Sequence, residues 1–273
     1  MIDDACNALG VVDVAPIGAP GGQKAVRHVQ RGSDDLVMKV IAVRSSSPTA
    51  LTRAEREVEL LKSLGSPHVV AVKSDLVRLG SPVEGAAWLE EHLDGDDLTA
   101  HLGPEWTWVL AAELGFQVAD GLAAGHAAGV IHRDLSPNNV RRLSNGTYKV
   151  MDFGFARHTL RTGVTVAGQP GTPGYLSPEH LNAYSGVPVP ASDVFGVGIL
   201  MYEVLTGENP IPFTGDEADY VQRLTKVEIT DIGNKRPDLT SDQQVVVRRM
   251  LHPQPARRYQ TGRLLAEALD PLR

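Results

Sequence analysis

Two aspartates and an asparagine stand close together in one polar stretch of the sequence. Asn139 follows Asp134 by five residues, and Asp152 comes thirteen residues after the asparagine. A carboxylate can accept a proton from a hydroxyl group, and carboxylate and amide oxygens are the hard ligands that magnesium prefers. The surrounding stretch 131–172 is predicted to be a polar loop among helical segments, and long ordered loops of this kind tend to carry function.

These residues belong to motifs that are known together. Residues 132–139 read HRDLSPNN and residues 152–154 read DFG, which is typical of the catalytic and metal-binding loops of protein kinases. The chain resembles the eukaryotic-like (bacterial Hanks-type) serine/threonine protein kinase family, and the resemblance extends over residues 11–269. Three later motifs agree with it, namely TPGYLSPE at 172–179, DVFGVG at 193–198 and PARRYQT at 255–261. By similarity, Arg258 is expected to pair with Glu179.

The resemblance implies an enzyme of bacterial signalling that transfers the γ-phosphate of ATP to serine or threonine hydroxyls, its own included. Such transfer depends on positioning and on charge neutralisation by Mg²⁺ or Mn²⁺. By similarity, Asp134 accepts the proton of the substrate hydroxyl. Asn139 and Asp152 would bind the metal ion, while Lys39 would hold the α- and β-phosphates. Glu57, eighteen residues after Lys39 on a predicted helix, is the expected partner of that lysine.

The nucleotide site is expected to draw on three segments. A Gly/Pro-rich segment, 18–26, takes the place of the family's phosphate-covering loop, although Lys24 stands where its last glycine belongs. Residues 91–95 align with the family's hinge. The resemblance therefore implies nucleotide contacts from this loop, the lysine strand and the hinge, through Gly18, Gly21, Gly22, Val26, Lys39, Glu91 and Leu93.

Three further positions depart from the family pattern. Ser136 replaces a lysine that neutralises the γ-phosphate, Glu90 falls at the normally apolar gatekeeper, and Arg141 lies where an apolar residue normally supports adenine. Together with Lys24 they keep open an alternative, a pseudokinase that binds nucleotide or a signalling partner. The intact polar set of Lys39, Glu57, Asp134, Asn139 and Asp152 argues against that alternative. A one-residue shift of the alignment would also explain the departures.

Two further alternatives are disfavoured by Thr172 and its surroundings. A small-molecule kinase of the aminoglycoside type would lack the threonine-bearing motif at 172–179. Tyrosine specificity is disfavoured because Thr172 resembles the threonine that contacts the catalytic aspartate in serine/threonine kinases. Regulation is expected through Arg133, which commonly pairs with a phosphate on the activation loop in kinases that carry it. Thr165 is the expected phosphorylation site.

Composition excludes several other classes of protein. The net charge of −7 speaks against nucleic acid as a partner. The single cysteine, Cys6, cannot form an internal disulfide, which suits a reducing compartment, and we expect a cytoplasmic protein. The longest apolar stretch, 194–205, is too short to span a bilayer. The expected partners are ATP and protein substrates with serine or threonine, and a regulatory partner is compatible with this interpretation.

Hydrophobic patterns predict the elements that must position these residues. Short β-branched runs predict strands at 10–17, 25–30, 36–43, 69–79 and 87–93, with one helix at 52–64. Longer helical patterns then follow at 106–128, 193–205, 217–225, 241–251 and 261–269. The predicted fold class is α+β, a two-lobed protein kinase fold. Residues 1–95 would form the β-rich N-lobe with the hinge, and residues 96–273 the mainly helical C-lobe.

Overall fold

A computed structural model describes residues 1–18, 24–43, 49–104, 106–153, 171–181 and 188–273 of the chain. These residues form two compact units. The first comprises Met1–Gly65 and Val70–Asp94, within the described ranges. The second comprises Ser66–Val69 and the described residues from Gly95 onwards.

The first unit is built on an antiparallel sheet of five strands in the order β1-β2-β3-β5-β4. The strands are β1 (Val12–Pro16), β2 (Lys24–Arg31), β3 (Asp34–Ala42), β4 (Val77–Leu79) and β5 (Gly85–Glu91). Among the described residues of this unit, two helices accompany the sheet, α1 (Ile2–Leu9) and α2 (Thr49–Ser63).

The two faces of this sheet are covered differently, because successive strand residues point to opposite sides. One face packs against α1 in a cluster that includes Cys6, Met38 and Leu89. The other face packs against α2, through Trp88 of β5 and Val58 of the helix. Lys39 of β3 pairs directly with Trp88 of β5. Lys39 therefore lies on the face of the sheet that packs against α2.

Two parts of the first unit differ from the prediction. The sequence pattern did not predict α1, a two-turn helix that ends at Gly10 in the left-handed conformation with φ 64°. The strand predicted at 69–79 is wrong for most of its length, since only Val77–Leu79 forms one. Val72 makes an isolated bridge to Glu90 instead, and Val69, which belongs to the second unit, makes one to Val150. A run of β-branched residues thus paired at single points rather than along a ladder.

The second unit is mainly helical. Its helices are α3 (Trp108–Ala127), α4 (Pro190–Thr206), α5 (Glu217–Lys226), α6 (Ile232–Lys235), α7 (Ser241–Met250) and α8 (Gly262–Leu269). A small antiparallel sheet joins β6 (Gly95–Asp97), β7 (Val140–Leu143) and β8 (Tyr148–Val150). Every residue from Ala191 to Leu205 of α4 is buried, as the all-round apolar pattern predicted.

A β-rich unit followed by a mainly helical one confirms the predicted two-lobed fold. We call the first unit the N-lobe and the second the C-lobe. The long helices lie within a few residues of the predicted ranges, while α6 was not predicted. The stretch predicted to be a polar loop also contains β7 and β8, which are short strands on either side of the turn at Gly146.

Candidate active site

A buried carboxylate anchors the start of the loop at 132–139 in the C-lobe. Asp193, on the buried helix α4, accepts hydrogen bonds from the backbone N–H groups of His132 at 2.8 Å and Arg133 at 2.9 Å. The His126 Nε2 atom also lies 2.9 Å from the Asp193 carboxylate. The other ring nitrogen of His126, Nδ1, accepts from the backbone N–H of Gly262 at 3.0 Å, so the imidazole donates to Asp193.

This anchor also explains an unusual backbone conformation. Arg133 has φ 66°, in the left-handed region that a residue with a side chain rarely adopts. Burial alone would raise the pKa of Asp193, but the hydrogen bond from His126 and the backbone N–H of Arg133 lower it overall. An ionised Asp193 therefore keeps both N–H groups satisfied and holds the strained turn in place.

Asp134, the expected proton acceptor, is buried and held at both of its carboxylate oxygens. The Thr172 hydroxyl donates to Oδ1 at 2.7 Å. The Asn139 amide nitrogen lies 3.3 Å from Oδ2 and donates to the Asp134 backbone carbonyl at 2.6 Å. The structure therefore brings together three of the residues predicted from the sequence, and it confirms the expected contact between Thr172 and Asp134.

Asp152 follows β8 and also has a left-handed backbone, with φ 53°. Next to it, the Phe153 ring packs edge-on against His132 with their centroids 5.1 Å apart. The Nε2–H group of His132 also donates a hydrogen bond to the backbone carbonyl of Met151 at 2.8 Å. His132 is thus a buried core histidine packed against Phe153.

The oxygen donors of Asn139 and Asp152 suit a divalent metal ion that is held jointly with phosphate. The amide nitrogen of Asn139 is engaged by Asp134, so its amide oxygen is the atom that it can offer to a cation. Asp152 adds a carboxylate. Within the described residues, no group of three or more His, Cys, Asp or Glu side chains could hold a metal ion. Magnesium is often bound by one or two protein side chains plus substrate phosphates and water, which suits this pair.

Two of the unusual positions carry polar atoms without partners in the described part of the chain. The Ser136 hydroxyl is buried and has no hydrogen-bond partner there. The same holds for the Nε atom of Arg141, on β7. Arg141 lies between Asp97 of β6 and Lys149 of β8 in the register of the small sheet.

A buried ion pair closes the motif at 172–179. The Arg258 guanidinium donates to Glu179 at 2.6 and 3.1 Å, as the resemblance predicted. Ser192 donates to the same carboxylate at 2.7 Å, and Arg258 also donates to the backbone carbonyl of Ala191. Burial would raise the pKa of Glu179, but the hydrogen bonds and charge of Arg258, helped by Ser192, lower it overall.

In the N-lobe, the candidate phosphate-binding lysine makes a contact that its sequence pattern does not predict. The Lys39 Nζ atom lies 2.7 Å from Oε2 of Glu90, and both side chains are buried. The Trp88 indole N–H donates to the other oxygen, Oε1, at 3.0 Å. Glu57, the partner expected from the resemblance, is buried on α2 in the same lobe, and its pairing with Lys39 stays a prediction.

The structure also describes several of the other residues that are expected to contact the nucleotide. Val26 pairs directly with Lys39 across β2 and β3. Glu91 ends β5 and accepts a hydrogen bond from the Ala71 N–H at 2.8 Å, while Leu93 is buried beyond it. Gly18 has φ 75°, which glycine adopts without strain. Three predicted residues lie outside the described part of the chain, namely Gly21, Gly22 and Thr165.

The two-lobed fold, the C-lobe residues around Asp134 and the N-lobe residues around Lys39 define a protein kinase domain. Residues 14–269 match the protein kinase domain family, so the chain belongs to it. Among curated proteins, it is 34% identical over 84% of its length to the serine/threonine-protein kinase PknB of Mycobacterium tuberculosis, covering 37% of that protein. It is 38% identical over 72% of its length to the serine/threonine-protein kinase PkaA of Streptomyces coelicolor, covering 34% of it.

These similarities identify the chain as a bacterial-type serine/threonine protein kinase domain. The family uses ATP and a divalent metal ion, and its members phosphorylate proteins. The chain spans between about a third and a half of the length of the curated relatives it matches. No helix in the described ranges is long and apolar enough to cross a membrane.

Proposed function

We propose that this chain transfers the γ-phosphate of ATP to serine and threonine hydroxyls of proteins, itself included, with Mg²⁺ or Mn²⁺ as the metal ion. The observation that carries the proposal is the pair of hydrogen bonds from Thr172 and Asn139 to Asp134. Hydrogen bonds at both oxygens fix the orientation of the Asp134 carboxylate. A proton acceptor for phosphoryl transfer needs a fixed orientation toward the substrate hydroxyl.

Each polar residue has a separate task in this proposal. Asp134 accepts the proton of the substrate hydroxyl as the oxygen attacks phosphorus. Asn139 and Asp152 hold the metal ion, which would neutralise charge on the phosphate oxygens. Lys39 binds the α- and β-phosphates, and Glu57 positions α2 and that lysine. Gly18, Gly21, Gly22, Val26, Glu91 and Leu93 surround the nucleotide.

The wider setting of the domain is part of the same proposal. The domain would act in the cytoplasm, where ATP is available and a lone cysteine stays reduced. The proposal includes protein substrates and a regulatory partner. The curated relatives are longer than this chain, which covers 34% and 37% of two of them. Phosphorylation of Thr165 would order the activation segment by pairing with Arg133.

Incubation of the purified chain with labelled ATP tests the activity, with Mg²⁺ or Mn²⁺, alone and with a generic protein acceptor. We expect transfer to serine and threonine, mapped by mass spectrometry. Asp152→Asn should abolish the transfer, and Asp134→Asn should reduce it by about 10²–10⁴-fold. Asp238→Asn serves as the matched control, because this exposed aspartate pairs with Arg236 away from the candidate site residues and should have no effect on transfer.

One outcome would contradict the proposal directly. If the wild-type chain binds nucleotide but transfers no phosphate with either metal ion, the chain is a pseudokinase. Transfer to tyrosine alone would contradict the proposed specificity while leaving the kinase activity in place.

A further inference from the structure

Glu90 shares one face of the N-lobe sheet with the candidate phosphate-binding lysine. Strand register places Glu90 opposite Val37, and Lys39 opposite Trp88. Glu90 is therefore the diagonal neighbour of Lys39 on the adjacent strand, within reach of a long side chain. The ion pair of 2.7 Å follows from this register.

Two contacts hold the Glu90 carboxylate beside Lys39. One oxygen accepts from Lys39 and the other accepts from the indole N–H of Trp88 at 3.0 Å. Trp88 is fully buried in the cluster beneath α2, so the donor that holds Glu90 is itself fixed. Glu90 is thus a fixed acidic acceptor beside Lys39.

A fixed carboxylate changes what Lys39 can offer to a nucleotide. Both side chains of the pair are at most 7% exposed, so solvent screens their attraction only weakly. A phosphate group that binds Lys39 must compete with Glu90 for the same ammonium group, and the carboxylate also repels the phosphate. The effect scales with the charge of the ligand, so a ligand without phosphate would not feel this competition.

From this geometry we propose that Glu90 is a positioning residue that restrains Lys39 and weakens ATP binding in this domain. The inference rests on the proposed function, because it takes Lys39 as the phosphate-binding lysine. It assigns to the acidic gatekeeper a specific consequence: affinity for the phosphates, rather than for adenosine, is reduced.

Binding of ATP and of adenosine, measured side by side, tests the inference. Glu90→Gln removes the charge and keeps an oxygen that can accept from Trp88, and Glu90→Met removes both. An opposite charge at this distance alters protonation equilibria by 10- to 1000-fold. We therefore expect both variants to bind ATP at least about tenfold more tightly than the wild type. The KM for ATP should fall to match, while Glu90→Gln should bind adenosine within twofold of the wild type.

A matched control comes from the same lobe. Glu55→Gln removes a carboxylate from an exposed ion pair with Arg78, and it should change neither affinity. Melting curves of each variant establish that the protein used is folded, and Glu90→Gln is the variant least expected to disturb packing.

Several results would overturn the inference. Unchanged or weaker ATP binding by both variants would do so, as would equal shifts for ATP and adenosine, which indicate an effect of pocket shape. ATP binding undetectable in the wild type and in both variants would count against it too. Failure of the proposed function is distinguishable, because it would show as absent phosphoryl transfer while tighter ATP binding by Glu90→Gln is still observed.

Discussion

The Thr172 hydroxyl donates a hydrogen bond of 2.7 Å to Oδ1 of Asp134, across 38 residues of sequence. The contact fixes one oxygen of the carboxylate that would accept the substrate proton. It also ties the motif at 172–179, which closes the activation segment in the family that the chain resembles, to the loop at 132–139 within the C-lobe. Correct placement of Thr172 and orientation of Asp134 therefore depend on each other.

Removal of this hydroxyl should lower turnover. A hydrogen bond to a charged group is worth about 1.5–3 kcal/mol, so Thr172→Val should reduce kcat by about 10- to 100-fold. Thr172→Ser keeps the hydroxyl and should stay near the wild-type rate. Steady-state kinetics on a protein acceptor would check this, with KM for ATP unchanged. Equal activity of the valine and serine variants would show that the contact does not orient Asp134.

The buried pair of Arg258 and Glu179 should make stability depend on acid pH. The pKa of Glu179 is lower in the folded protein than its ordinary value of 4.5. Its contribution to stability is therefore present above about pH 4.5 and is lost as the pH falls through the folded pKa. At neutral pH, Glu179→Gln leaves a buried guanidinium without its counter-charge, which costs about 3–5 kcal/mol.

Denaturant unfolding at several pH values measures this contribution. The difference in free energy of unfolding between wild type and Glu179→Gln should be large at pH 7 and should narrow as the pH falls below 4.5. Glu267→Gln is the control, since Glu267 forms an exposed pair with Arg263 and should change stability little at any pH. A difference that is constant with pH would contradict an ionised, paired Glu179.

The buried position of Lys39 leads to a prediction about stability as well as activity. Lys39→Met leaves the Glu90 carboxylate buried without its ammonium partner, which should cost about 3–5 kcal/mol and lower the Tm by about 10 °C. The double variant Lys39→Met, Glu90→Met removes both charges and should recover most of the Tm. It should not recover phosphoryl transfer, because the phosphate-binding cation is still missing.

Calorimetry and activity per folded molecule, measured on the single and double variants, separate the two roles of Lys39. Recovery of stability without recovery of transfer is the expected pattern. If Lys39→Met alone melts with the wild type, the pair contributes nothing to stability. If the double variant regains transfer, Lys39 does not act on the phosphates.

The C-lobe site could be predicted from the sequence because its residues lie in short, ordered motifs. Asp134 and Asn139 were predicted from their types and spacing, and Thr172 from its resemblance to a family motif. The three residues meet in the structure. The partner of Lys39 could not be predicted in this way, since the contact with Glu90 depends on the register between β3 and β5. Strand patterns give the face of each residue but not the register, which backbone pairing and core packing fix together.

Burial of charge was also invisible in the sequence. A lysine on a strand and a glutamate on a helix are usually solvated, yet Lys39, Glu57 and Glu90 are all at most 5% exposed. Helix α1 was not predicted because eight residues give only a short pattern. Packing of Cys6 and Leu9 on the sheet stabilises this helix.

The last prediction concerns control of the domain through Arg133. This residue is anchored by Asp193 through its backbone, while its side chain is half-buried in the C-lobe. A phosphate on Thr165 adds about two negative charges at neutral pH, and an arginine can bind it in a bidentate manner. Thr165→Ala should therefore reduce activity on a protein acceptor by about tenfold, in the range of ordinary coupling between sites, without changing ATP affinity.

Arg133→Ala provides the test of mechanism. It should remove most of the difference in activity between the phosphorylated and the phosphatase-treated domain, because the group that reads the phosphate is absent. Arg263→Ala, which alters an exposed arginine of α8, should preserve that difference. Mass spectrometry of the active protein must find phosphate between residues 158 and 166. If active protein carries none there, phosphorylation at Thr165 does not control the domain, and a regulatory partner becomes the better explanation, because the charge that Arg133 would bind is never formed.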